Sequence, residues 1–170
     1  MLRDTLTAMS FARPVVKLRV ALALAVLGFG APAAAQSQAP LPKPVQDAID
    51  KSRAECQPEQ FKPLAKFVVE RDINGDGRKD YILGYGNSQC GDALSYYCGT
   101  GGCLTQVFAS REDGTYGLVL DQNVRQLRFA RAKGRPAMLL ELHGSECGRA
   151  GVERCSATLY WNGYTFSPAN

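Results

Sequence analysis

Six cysteines, Cys56, Cys90, Cys98, Cys103, Cys147 and Cys155, all lie beyond residue 55 of a 170-residue chain, and they follow an N-terminus that reads as an export signal. Arg13, Lys17 and Arg19 precede the apolar run Val20–Phe29 and the small-residue stretch Ala31-Pro32-Ala33-Ala34-Ala35-Gln36, the three-part layout of a secretory leader. Cleavage is expected after Ala35. An even set of cysteines in a small exported domain implies a disulfide framework, so any fold must bring three pairs of thiols together while burying a core.

Six cysteines allow fifteen connectivities, and sequence alone leaves them open. The short spacings favour Cys98 with Cys103 and Cys147 with Cys155, which leaves Cys56 with Cys90. Zinc or haem attachment is the competing use of cysteine, but the chain has no C-x-x-C and a single histidine, His143. A bilayer-spanning helix needs about 20 apolar residues. The leader's run is about 10 and no later run is longer, so no stable membrane span is expected after cleavage.

Discounting residues 1–35 leaves 135 residues, enough for one domain with a sizeable core. That segment also holds Arg3, Arg13, Lys17, Arg19 and Asp4, so the formal charge falls from +4 to +1. The basicity belongs largely to the leader, and no nucleic-acid partner is expected. Residues 36–44, with Pro40, Pro42 and Pro44 among Ser, Gln and Ala, read as a flexible tether, and residues 45–170 as the folded domain.

Val45, Ala48, Ile49 and Ser52 recur at i, i+3, i+4 and i+7 beside Asp47, Asp50, Lys51 and Arg53, which predicts one short amphipathic helix ending before Pro58. From Phe61 onward, short β-branched, aromatic and aliphatic runs alternate with glycine, the texture of strands and tight turns. The expected strands are 66–71, 81–85, 104–110, 116–120, 124–131, 137–143, 157–161 and 164–166. Asp113-Gly114 and Asn162-Gly163 are hairpin turns, and Gly134 with Pro136 marks a third. The predicted class is α+β, mainly antiparallel sheet with one N-terminal helix and disulfide bonds. No helix-length pattern separates the strands, which excludes a doubly wound nucleotide fold.

The sharpest motif is Asp72-Ile73-Asn74-Gly75-Asp76-Gly77-Arg78-Lys79-Asp80. Side-chain oxygens stand at positions 1, 3, 5 and 9, the carbonyl of Arg78 can serve at position 7, and Gly77 at position 6 permits the bend. Such a loop suits Ca2+, a hard cation. Three carboxylates so close repel one another without a cation, so binding should order the loop. The bland alternative is a solvated turn in which Asp and Asn cap backbone groups.

An EF-hand would carry a bidentate Glu at position 12, where this chain has Leu83. The flanks Phe67-Val68-Val69 and Tyr81-Ile82-Leu83 also read as strands. The motif instead resembles the calcium loops of FG-GAP/VCBS-type repeats in integrin-like β-propellers. The resemblance covers about twenty residues around the loop, and the loop occurs once, so it implies the calcium-binding hairpin and not the propeller. By comparison with extracellular modules, an affinity on the order of 10⁻⁴ to 10⁻³ M and a structural role are expected.

Two glycine-rich segments, Cys90 to Cys103 and His143 to Cys155, read as ordered loops held by disulfides and as candidate recognition surfaces. The piece Cys98-Gly99-Thr100-Gly101-Gly102-Cys103 lacks the lysine and helix of a phosphate loop. Arg125, Arg128, Arg131, Lys133 and Arg135 form the one basic cluster, and strand alternation is expected to split Arg125 and Arg131 from Arg128. Tyr160, Trp161, Tyr164 and Phe166 flank a turn and are assigned to sheet packing.

Function is then expected to be a non-catalytic calcium-binding module, periplasmic or secreted, that binds a protein or envelope polymer through its disulfide-held loops. A small hydrolase acting on envelope material is the alternative, with His143, Ser145 and Glu146 as its residues, although Ser145 has no G-x-S-x-G setting. An inhibitor of a secreted enzyme such as lysozyme also suits the size and address.

Overall fold

The computed structural model describes residues 40–169. The expected leader and residues 36–39 of the tether lie outside that range. Among the described residues no helix is long and apolar enough to cross a membrane.

Among the described residues one α-helix, α1 (Lys43–Glu55), is followed by eleven strands: β1 (Phe61–Pro63), β2 (Val68–Arg71), β3 (Asp80–Gly84), β4 (Ser88–Cys90), β5 (Cys98–Gly99), β6 (Gly102–Ser110), β7 (Tyr116–Val124), β8 (Gln126–Ala132), β9 (Arg135–Leu142), β10 (Cys155–Trp161) and β11 (Phe166–Ser167). The helix takes in Lys43 and Pro44, two residues ahead of the expected start, because proline in a first turn forfeits only an N–H that has no intrahelical partner. It buries Val45, Ile49 and Ser52, and Val45 and Ile49 contribute roughly 1.5–3 kcal/mol each by leaving water.

Every strand pairing is antiparallel. β2, β3, β6 and β5 line up in one sheet with β7 on β6, β8 to β11 form a second, and β1 pairs with β4. The first sheet has apolar residues on both faces. Phe67, Tyr81, Leu83 and Phe108 meet the helix residues Val45 and Ile49 in one core. Val107, Leu120 and Val124 meet Met138, Leu140, Leu142 and Phe166 of the second sheet in another. The layers are therefore helix, sheet, sheet.

The Asp113-Gly114, Gly134-Pro136 and Asn162-Gly163 turns each join an antiparallel pair, β6 to β7, β8 to β9 and β10 to β11. Most strand boundaries shift from expectation, and Val124, expected to open the 124–131 strand, instead ends β7; two of the shifts have visible local reasons. Lys66 adopts a left-handed φ of 65°, so the strand expected from residue 66 begins at Val68. Asn162 Oδ1 accepts the N–H groups of Tyr164 and Thr165, so Tyr164 belongs to the turn and β11 begins at Phe166. β1, β4 and β5 are too short to show a period in sequence.

The disulfides join Cys56 to Cys90, Cys98 to Cys103 and Cys147 to Cys155, the pairs that the spacings favour. The first ties the end of α1 to β4. Only Arg125 separates β7 from β8, so the chain crosses from one sheet to the other at that residue.

Candidate calcium loop and the disulfide-held loops

The acidic loop is the connection of the β2–β3 hairpin, whose last register pair is Arg71 with Asp80. Its side-chain oxygens accept N–H groups from the loop itself. Asp72 takes Gly75 at 2.7 Å and Gly77 at 3.0 Å, Asn74 takes Asp76 at 3.0 Å, and Asp76 takes Arg78 at 2.8 Å. Successive turns of this kind curl the backbone around the oxygens of residues 72, 74 and 76. Gly77 has a φ of +80° and nothing near the place a Cβ would occupy, so glycine is required there by conformation and not by space. Leu83, at the twelfth position, is fully buried in the core, which rules out the EF-hand arrangement.

Asp80 faces inward and is fully buried. One carboxylate oxygen accepts the Ile73 N–H at 2.7 Å, and the other accepts the Ser110 N–H at 2.7 Å. It thus bolts the loop's entry to the end of β6. The Ser110 hydroxyl lies 2.7 Å from Asp80 Oδ1 and 2.8 Å from Asp76 Oδ2. A hydroxyl has one proton to donate, so the two carboxyl oxygens compete for the single proton of Ser110.

Burial pushes the Asp76 carboxyl up, but hydrogen bonds from the Arg78 N–H, Ser110, Asn74 and the Arg78 guanidinium together outweigh it and hold it below its ordinary value. Asp76 is therefore ionised at neutral pH. The donor set is oxygen throughout: the side chains of Asp72, Asn74, Asp76 and Asp80 with the carbonyl of Arg78. That chemistry fits calcium. Among the described residues no three acidic, imidazole or thiol groups are grouped as metal ligands, so Asp72, Asp76 and Asp80 do not converge on one point, and both oxygens of Asp80 are taken by backbone N–H groups.

At the other end of β6 the two disulfide-closed loops come together, which sequence could not show. Arg125 donates from Nε to the Thr100 carbonyl at 3.1 Å and from Nη2 to the Gly151 carbonyl at 2.8 Å. One guanidinium thus links the Cys98–Cys103 loop to the Cys147–Cys155 loop. Between them lies a cleft of about 220 Å³ lined by Thr100, Gln122, Asn123, His143, Ser145 and Glu146.

His143 and Ser145 are in contact, with Nδ1 2.7 Å from the hydroxyl. The Ser145 N–H also points at Nδ1, at 3.4 Å, which makes that nitrogen the acceptor and Ser145 the donor. His143 thereby caps the short helical turn Gly144–Cys147. The N–H groups of Gly144, Glu146, Gly148 and Arg149 are taken by carbonyls within the loop, so none of them is available to stabilise an oxyanion. Glu146 shares the cleft, yet no hydrogen bond among the described residues joins it to His143.

The basic cluster divides differently from the alternation expected. Arg125 sits at the bend between sheets, where the period breaks, and with Arg128 and Arg154 it lines a single pocket. Lys133 and Arg135 stand over the Tyr160 ring at 5.6 and 5.0 Å, which holds those cations against the sheet. Trp161 packs on Phe166, while Tyr164 is exposed beneath the Arg111 guanidinium, 4.0 Å from its ring centre. Comparison of the chain with protein-family models, curated proteins and solved structures finds no match to any of them.

Proposed function

We propose that the chain is an exported, non-catalytic module of the cell envelope, clipped by one structural calcium ion, whose disulfide-held loops bind a macromolecular partner. Asp72, Asn74, Asp76 and Asp80 would hold the ion through side-chain oxygens and Arg78 through its carbonyl, as the resemblance to FG-GAP/VCBS-type loops implies. The observation that carries this reading is the Ser110 hydroxyl with its single proton between the carboxylates of Asp76 and Asp80. A cation at the loop offsets that excess of negative oxygen. Three disulfides favour an oxidising compartment, the periplasm or the exterior.

The 2.7 Å contact of His143 with Ser145 is what favours the second reading, a small hydrolase. Its weakness is that the same contact caps a turn whose surrounding N–H groups are engaged. No observation favours an enzyme inhibitor over any other binding role.

Calorimetric titration of calcium into the oxidised, chelator-treated protein tests the proposal, with Asp72→Ala and Asp76→Ala alongside. Saturable binding that is lost in both variants is expected. Absence of binding at millimolar calcium, or equal binding by the variants, would overturn the calcium assignment.

A further inference from the structure

The outer face of the second sheet, turned away from the core, carries a pocket of about 320 Å³. The β8–β9–β10 register puts Glu141 beside Ser156 and sets Arg128, Leu139 and Thr158 in one row, so strand alternation directs these side chains to the same face. The pocket is lined by these residues together with Arg125 and Arg154. Arg154 has no carboxylate partner among the described residues, and Arg128 Nη2 lies 3.6 Å from Glu141 Oε1, a loose contact between side chains that are 61% and 52% exposed. Arg125 has its guanidinium committed to the Thr100 and Gly151 carbonyls and contributes charge from the rim.

Three arginines against one glutamate leave a local positive excess on a domain whose acids and bases otherwise nearly cancel. Guanidinium groups match carboxylate and phosphate in a planar, two-pronged geometry. The hydroxyls of Ser156 and Thr158 can exchange hydrogen bonds with hydroxyl groups, Glu141 can accept from them, and Leu139 offers a small apolar floor. A volume of about 320 Å³ stands at the lower end for small-molecule sites, about 300–1,000 Å³, which suits a single sugar ring.

We infer that this pocket binds a small acidic saccharide, a sugar unit carrying a carboxylate or a phosphate, with Arg128 and Arg154 on the anionic group and Ser156, Thr158 and Glu141 on the ring hydroxyls. The inference does not rest on the calcium loop, whose Asp72, Ile73 and Gly75 lie against Phe129, Ala130, Arg131 and Pro136 and line none of this pocket.

Titration of the oxidised protein with glucose, glucuronic acid and glucose 6-phosphate, followed by calorimetry, tests it. At least one acidic sugar is expected to bind saturably and glucose is not; the tighter of the two acids identifies the anionic group. Arg128→Gln and Arg154→Gln should each weaken binding by about tenfold with an unchanged melting temperature, and added salt should weaken it further. Glucose binding as well as the acids, no binding of either acid at millimolar concentration, or binding unaltered in both variants would each overturn the proposal.

Discussion

The two ends of strand β6 solve one problem, ordering a glycine-rich loop, by different physics. At Ser110 the Asp72–Asp80 loop is held by carboxylates that accept backbone N–H groups. At Cys103, seven residues and roughly 20–25 Å away along an extended strand, two loops are closed covalently and laced by Arg125. The first end gathers negative charge and depends on ionisation, so acid and chelators should act there. The second depends on disulfides and on close backbone approach: a Cβ on Gly144 would fall 1.8 Å from the Ala150 carbonyl oxygen. Reductant should act on that end and leave the first intact.

The largest expected effect comes from the buried anchor of the acidic end. Asp80→Ala removes the acceptor of the Ile73 and Ser110 N–H groups and leaves both buried without partners, at about 3–5 kcal/mol, measurable by urea unfolding. Asp80→Asn should be milder, since its carbonyl oxygen can keep one of the two.

Next is the covalent end. Replacing Cys147 and Cys155 together with alanine should cost about 2 kcal/mol by releasing a loop whose cysteines are 8 residues apart. Amide exchange should quicken around His143 and Gly151 and remain unchanged in residues 72–80. If the acidic loop loosens equally, the two ends are not independent.

Arg125→Ala should cost only about 0.5–1 kcal/mol, because its two hydrogen bonds are exposed. Its effect should appear instead as faster exchange in both disulfide-closed loops at once. A change in only one of them would show that the guanidinium does not couple the pair.

The smallest effect is that of pH on Asp76. Its folded carboxyl titrates below the ordinary 3.8, so its contribution to stability is present above that value and is lost as pH falls through the lower folded value. Asp76→Asn should therefore flatten the acid limb of the stability curve by slightly lowering stability at neutral pH, with little change in acid, in the absence of calcium.

Local chemistry made much of this molecule legible. Asp113-Gly114 and Asn162-Gly163 fix two hairpins because few other residue pairs adopt their backbone angles, and the spacing of Val45, Ile49 and Ser52 fixes the helix face. Short loops likewise favoured the disulfide pairs, since close cysteines meet easily. What escaped were relations set by strand register. Asp80 and Ser110 stand thirty residues apart and meet only because β3 pairs with β6. Arg125, Arg128 and Arg154 converge because the chain changes sheets at residue 125 and β10 returns beside β9. The loop's residue types were readable, whereas the inward turn of Asp80 was not, as its backbone partners carry no side-chain signature.

The most direct measurement of the central claim is residue-resolved amide hydrogen exchange of the oxidised protein with calcium and with chelator. Calcium should slow exchange at Gly75, Asp76, Gly77 and Arg78, whose N–H groups point into the loop's oxygens, and leave the Cys98–Cys103 and Cys147–Cys155 loops unaffected. No change at those four amides, or equal slowing at both ends of β6, would contradict a calcium clip at this hairpin.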